Sequence, residues 1–401
     1  MFVMATSARA ATLCPAPGTG ETALSAAANA MLPGQWCELN TTNFNGGRST
    51  KGDILKSFSG ETISIQGGPS TNCGCSSNGS IFEYADGAAW NPVARALMFI
   101  GTPHPGCPKF VKYDEQTNSW STLPLPPESM VGDYDVCSSG QGPGNLISHA
   151  YDHNAVDPVT GDFYHHFYNT ARFIRFSQSS QTWNELPQMC SGCGYQITGV
   201  VDFFTERNSL FYLNSGFNNV YRWDKATNTW SEFCDVDGGA NNMFGGYQTV
   251  GTYNSKQKFW VFGGGNGSSK LFKIAESGSS CTQIPDAPFA AQVADGYASN
   301  GALFVADPAS GDLLLYRSTG SFYKFSATTG TWSDISSNAP PAPFAGSSFS
   351  ASQAVVAAVP ERGVTLWVKW AGANSAILVY KHSVTQGGTT PPPTPGALRV
   401  Q

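Results

Sequence analysis

Three sets of residues in this chain could do chemistry. The first is sulfur. There are ten cysteines, with Cys73-x-Cys75 and Cys190-x-x-Cys193 closely spaced and Cys107 and Cys137 lying between those pairs. Cys-x-Cys together with Cys-x-x-Cys is a spacing that can hold zinc through four thiolates. The same residues sit in Gly/Ser/Pro-rich stretches, where an oxidising compartment joins cysteines into disulfides. We read all ten as disulfide-forming, with Cys14–Cys37 and Cys234–Cys281 as two of the pairs, and expect no metal on sulfur.

The second set is imidazole. His104 lies near Cys107, His149 and His153 bracket an inner strand, and His165-His166 are adjacent on the next. Successive strand residues point to opposite faces of a sheet, so His165 and His166 cannot both serve one site without distortion. Strand histidines satisfied by hydrogen bonds are the plainer reading than a copper or zinc centre. The third set is carboxylate: Asp133 and Asp135 form a pair, while Asp295 and Glu361 stand alone. A pair can divide acid and base roles, but carboxylates in turns mostly cap backbone N–H groups. There is no Gly-x-Ser-x-Gly elbow, phosphate loop or dinucleotide fingerprint, because Gly263 to Gly267 follow a strand with no helix pattern behind them.

The elements that position these residues repeat along the chain. Tyr113 to Trp120, Phe176 to Trp183, Trp223 to Trp230 and Phe325 to Trp332 are each an aromatic-ended strand, a polar turn and a strand opening on Trp. Leu-Pro follows two of them, at Leu123-Pro124 and Leu186-Pro187, and a fifth copy ending at Ile284-Pro285 carries Cys281 in place of Trp. Trp120, Trp183, Trp230, Cys281 and Trp332 succeed one another at intervals of 63, 47, 51 and 51 residues. That is the period of a four-stranded propeller blade. Period-2 runs such as Gln248 to Tyr253 and Lys258 to Gly264 supply the inner strands.

This pattern resembles the kelch repeat family, including the propeller of galactose oxidase, on the outer Tyr/Phe…Trp turn and on the Gly263-Gly264-Gly265 run. The resemblance spans about Ile81 to His382 and implies an all-β propeller, and the strand sets count out to six blades. It says little about activity, since the fold hosts many. The sixth set of strands, within Gln353 to His382, lacks an outer Trp strand, and Gly34 to Leu39 supplies one, closing the ring. In such a propeller Cys73, Cys75, Cys107, Cys137, Cys190 and Cys193 share the face of the inter-blade loops. The same face gathers His104, Tyr134, Asp135, His149, Tyr195, Asn218, Asn242, Arg317 and Trp370 as candidate ligand contacts. Rings beside amides suit carbohydrate or peptide recognition; ordinary turn residues are the competing reading.

The boundaries follow. Residues 1–11 read as the remnant of a secretion signal, with Ala8-Arg9-Ala10 as its cleavage pattern. Residues 12–386 form the propeller, with a loop-rich insertion at 40–79 and blades from about 80. Residues 387–401 are a Pro-rich linker to a further module. Asn40, Asn78 and Asn266 lie in glycosylation sequons. Charged residues are only 12% of the chain, net charge is −6, and no Lys/Arg cluster tracks a phosphate backbone, which argues against nucleic acid. We therefore expect a secreted propeller that binds a glycan or protein through its inter-blade face, without a cofactor or a membrane span. A carbohydrate-active enzyme (lyase, hydrolase or copper oxidase) and a structural subunit that self-assembles are the alternatives.

Overall fold

An indole carries one N–H and must place it when the ring is buried. In this chain that single donor explains the repeat. The indole of Trp183 donates to the Pro124 carbonyl at 2.9 Å, that of Trp230 to Pro187 at 2.8 Å, and that of Trp332 to Pro285 at 3.1 Å. Each proline follows the outer strand of the preceding blade, so the Trp and Leu/Ile-Pro positions are two ends of one inter-blade staple. Trp36 reaches Asn338 O at 2.8 Å and Trp120 reaches Thr41 Oγ1 at 3.1 Å, which carries the same device through the closure.

The computed structural model describes residues 11–44, 53–75, 79–103, 106–134, 146–190, 199–236, 243–245, 248–289, 301–317, 319–344 and 353–383. Six four-stranded antiparallel blades form the ring. Counted by their inner strands, the blades start at Ala89–Asn91, Asn154–Val156, Gly199–Phe204, Thr249–Asn254, Ala302–Ala306 and Gln353–Val359. Their outer strands are Ser119–Leu123, Thr182–Glu185, Thr229–Asp235, Thr282–Ile284, Thr331–Asp334 and, for blade 6, Gln35–Glu38. That last strand pairs with Ala376–Lys381 in the register Trp36 to Tyr380, so the expected closure by the N-terminal strand is present. A further short strand, Ala85–Gly87, runs parallel to the inner strand of blade 6.

Two parts of the N-terminal region differ from the sequence reading. Ala23–Ala30 is a helix, nucleated by a capping box in which Thr22 Oγ1 accepts from Ser25 N and Ser25 Oγ accepts from Thr22 N. Its Leu24, Ala27 and Met31 pack against Val364, Leu366 and Val379 of blade 6. The insertion, read as loop-rich, holds two small two-stranded sheets, Lys56–Ser57 with Gly79–Ser80 and Thr62–Ile63 with Thr71–Asn72. Its Ile63, Ile65 and Cys73 cover Phe110 and Leu125 of blade 1.

The disulfide expectation holds for the described cysteines. Cys14–Cys37, Cys73–Cys107 and Cys234–Cys281 are bonded. Cys75 and Cys190 are disulfide-bonded too, and Cys137 and Cys193 lie outside the described residues. Disulfides at these positions point to an oxidising compartment. Among the described residues no helix is long and apolar enough to cross a membrane.

Candidate functional site

A propeller brings residues from distant blades together along its axis. We call lower the face that carries the turns between first and second strands. The upper face carries the turns between second and third strands and the inter-blade connections. Neighbouring inner strands are stitched directly around the axis. Asp86 N donates to Tyr151 O, Val201 N to Asp152 O, and Ala88 N to Val356 O. Side chains finish the seam. Asp202 Oδ2 accepts from Tyr253 N at 2.5 Å, and Thr252 Oγ1 accepts from Ala306 N at 3.1 Å. Asp152 Oδ2 accepts from Gly251 N at 2.8 Å, reaching from blade 2 past blade 3 to blade 4. The other Asp152 oxygen rests against Gly87, where an added Cβ would fall 2.1 Å from it.

Asp86, Asp152 and Asp202 therefore form a layer of carboxylates within the ring. Burial raises all three above the ordinary carboxylate range. For Asp152 the charges of Asp86 and Asp202 add to that effect, and Asp202 is pushed up to about 7 against the pull of two backbone N–H groups. Both oxygens of Asp86 are buried, with no hydrogen-bond partner of good geometry among the described residues.

Above this layer stands a stack of rings. His149 lies between Tyr84 and Tyr168, with ring centroids 4.4 Å away on each side and planes within 12° of parallel. Its Nδ1 is 2.9 Å from the Tyr151 hydroxyl. Tyr84, His149 and Tyr151 all have positive φ (58°, 51° and 30°), an uncommon conformation for such side chains and one that clusters at functional sites. Deeper still, His153 is 4.6 Å from His166 and 6.3 Å from His165, centroid to centroid. Burial first, and then the neighbouring imidazoles, hold His153 well below the usual histidine range; burial holds His165 and His166 near 3. All three are thus neutral at physiological pH. His165 Nδ1 meets Asn154 Oδ1 and His166 donates to Thr170 O, while both ring nitrogens of His153 are buried without partners among the described residues. At the upper ends of the second strands of blades 3 and 5, the side-chain amide of Asn214 and the Nε of Arg317 likewise lack partners among the described residues.

Below the layer is a cavity of about 300 Å³. Its walls include Trp90, Phe203, Tyr253 and Phe304, with Glu206 and Glu361 at the rim and Asp152 and Asp202 toward the axis. The two glutamates occupy equivalent 3-10 turns, Thr205–Arg207 in blade 3 and Pro360–Arg362 in blade 6. Each turn ends on a left-handed residue, Asn208 or Gly363. The Glu361 carboxylate accepts the Trp90 indole N–H at 2.9 Å, and that of Glu206 accepts the Tyr253 hydroxyl.

The residues expected at a ligand face fare unequally. His149 joins the ring stack. Asn218, Arg317 and Trp370 lie on the same upper face, in blades 3, 5 and 6. Of these, Asn218 is buried in a left-handed turn, Arg317 sits 5.2 Å over the Phe289 ring, and the Trp370 indole donates to Asp53. Tyr134 is fully buried and its hydroxyl donates to Pro126 O, a packing role. His104, Asp135, Tyr195, Asn242 and Asp295 lie outside the described residues. Glu361 is not isolated, as its sequence position suggested. Tyr84, Tyr168, Asp152 and Glu206 drew no attention in the sequence, although the Glu-Arg pair recurring in two equivalent turns was a usable signal. Among the described residues, the one group with metal-like spacing is Cys73, Cys75 and Cys107, whose sulfurs are all taken by disulfides.

No protein-family model matches this chain, and no curated protein matches it. Among solved structures, that of a protein of unknown function from Bacteroides thetaiotaomicron aligns with 81% of this chain and 74% of that one. Its identity is 12% and its TM-score 0.48.

Proposed function

We propose that this chain is an extracellular binding propeller that recognises carbohydrate on its upper face, at the mouth of the channel. The observation that supports this most is the half-buried Tyr84–His149–Tyr168 stack, in which Tyr84 and His149 are held by left-handed backbone. Fixed rings give a sugar a flat apolar surface, and amide, imidazole and guanidinium groups nearby suit its hydroxyls. The buried side-chain atoms of His153, Asn214 and Arg317 that lack partners among the described residues are of that kind. A metal enzyme is the weaker reading, because His153, His165 and His166 do not form a group with the spacing that one ion requires.

The test is a glycan array followed by affinity measurements on Tyr84→Ala, Tyr168→Ala and His149→Ala. We expect the parent chain to retain a defined glycan and Tyr84→Ala and Tyr168→Ala each to weaken it about tenfold or more with the fold intact. Retention of no glycan, or variants that bind like the parent, would overturn the proposal. Turnover of the glycan, rather than retention, would favour the enzyme.

A further inference from the structure

We propose that the lower cavity is a site for a small organic dication, an α,ω-diamine. It involves other residues than the carbohydrate reading and stands apart from it. In a six-membered ring, blade 3 faces blade 6 and blade 1 faces blade 4. Glu206 and Glu361 thus come from opposite sides of the cavity, and so do their aromatic donors, Tyr253 and Trp90. The result is a near-twofold arrangement, a carboxylate beside a ring on each wall, that suits a ligand with a positive charge at both ends.

The charge balance is one-sided. Of the acids that line the cavity, Asp152 and Asp202 have their pKa raised by burial, so Glu206 and Glu361 carry its negative charge, and among the described residues no Lys, Arg or His lines it. The arginines that follow the two glutamates are turned elsewhere. Arg207 donates to the carbonyls of Ala275 and Gly278, and Arg362 pairs with Glu115 at 2.8 Å. Both glutamates are exposed at the rim, where an incoming cation meets them first. Between them Phe203, Phe304, Val305 and Val356 give apolar wall for a methylene chain, and ring faces favour ammonium groups. A compact metal ion fits less well, since no three carboxylates among the described residues lie close enough together to hold one. The volume is at the lower end for small-molecule pockets, about 300–1,000 Å³.

Calorimetric titration of the purified full chain with 1,4-diaminobutane, 1-aminobutane and 1,4-butanediol tests this. We expect the diamine to bind at one site, the monoamine about fivefold more weakly or worse, and the diol not at all. Glu206→Gln and Glu361→Gln keep an acceptor for Tyr253 and Trp90, so each should lose about fivefold in diamine affinity with an unchanged melting temperature. Should either fail to fold, Ser255→Lys, which places an amine at the cavity wall, should weaken the diamine to the same degree. No binding by the parent, equal binding of diol and diamine, or diamine affinity unmoved by these variants would each overturn the proposal.

Discussion

Cys281 of blade 4 is disulfide-bonded to Cys234 of blade 3 at the place where the outer strands of blades 2, 3 and 5 carry an indole that donates to a carbonyl of the preceding blade. The break in the Trp repeat is thus a substitution of one inter-blade link by another, covalent one. Replacing both cysteines by serine should destabilise the chain by about 2–4 kcal/mol, as expected for a bridge that closes a long loop. Urea unfolding of Cys234→Ser/Cys281→Ser against the parent measures it. A loss well under 1 kcal/mol would mean that blades 3 and 4 are held by packing alone.

The indole staples predict their own ranking. Trp183 is buried and Trp230 is partly exposed, although both donate to a proline carbonyl. Losing a donor beside a buried carbonyl costs about 1–3 kcal/mol, while a solvent-accessible bond is worth about 0.5–1.5 kcal/mol. Trp183→Phe should therefore cost more than Trp230→Phe in denaturant unfolding. Equal or reversed costs would show that ring volume, not the N–H, sets the effect.

The outer strands were legible because every blade solves the same problem with the same residues. Trp120, Trp183, Trp230 and Trp332 need an aromatic partner on the third strand and an oxygen acceptor on the neighbouring blade, so the pattern survives in a single sequence. Closure by Trp36 was legible for the same reason. The axis was not. Asp152 finds its partner 99 residues away on Gly251, and Trp90 finds Glu361 271 residues away. Such contacts leave no local period. The helix Ala23–Ala30 was missed because it is one short run in a chain whose pattern is otherwise that of strands.

Acid should attack the closure between blades 1 and 6 first. Glu115 is buried, which by itself would raise its pKa, but bonds from Arg95 and Thr22 and the charges of Arg362 and Arg95 hold it below the model-peptide value of 4.5. A depressed carboxylate stabilises the folded state above its unfolded pKa, and that stabilisation is lost as pH falls through the folded value. Glu115→Gln should therefore be less stable than the parent at pH 7, with the difference shrinking below about pH 4.5. A difference that is constant with pH would show that the side chain acts by shape alone.

The axial carboxylates should push the other way. Asp202 is raised from 3.8 to about 7, first by burial, with the amides of Phe203 and Tyr253 only partly countering it. An acid with a raised folded pKa keeps its proton in the native state while the unfolded chain has already lost it. Stability therefore falls as pH rises from about 3.8 toward 7 and levels off above that. Asp86 and Asp152 are displaced in the same direction and add to this slope. Asp202→Asn removes the titration but also gives up one of the two oxygen acceptors for the backbone N–H groups of Phe203 and Tyr253. The variant should be clearly less stable than the parent at pH 4.5, with the gap narrowing steadily up to pH 8. Urea midpoints across that range give the answer. Parallel curves for parent and variant would mean that Asp202 is ionised in the folded ring throughout, and that the axis is wetter than its packing implies.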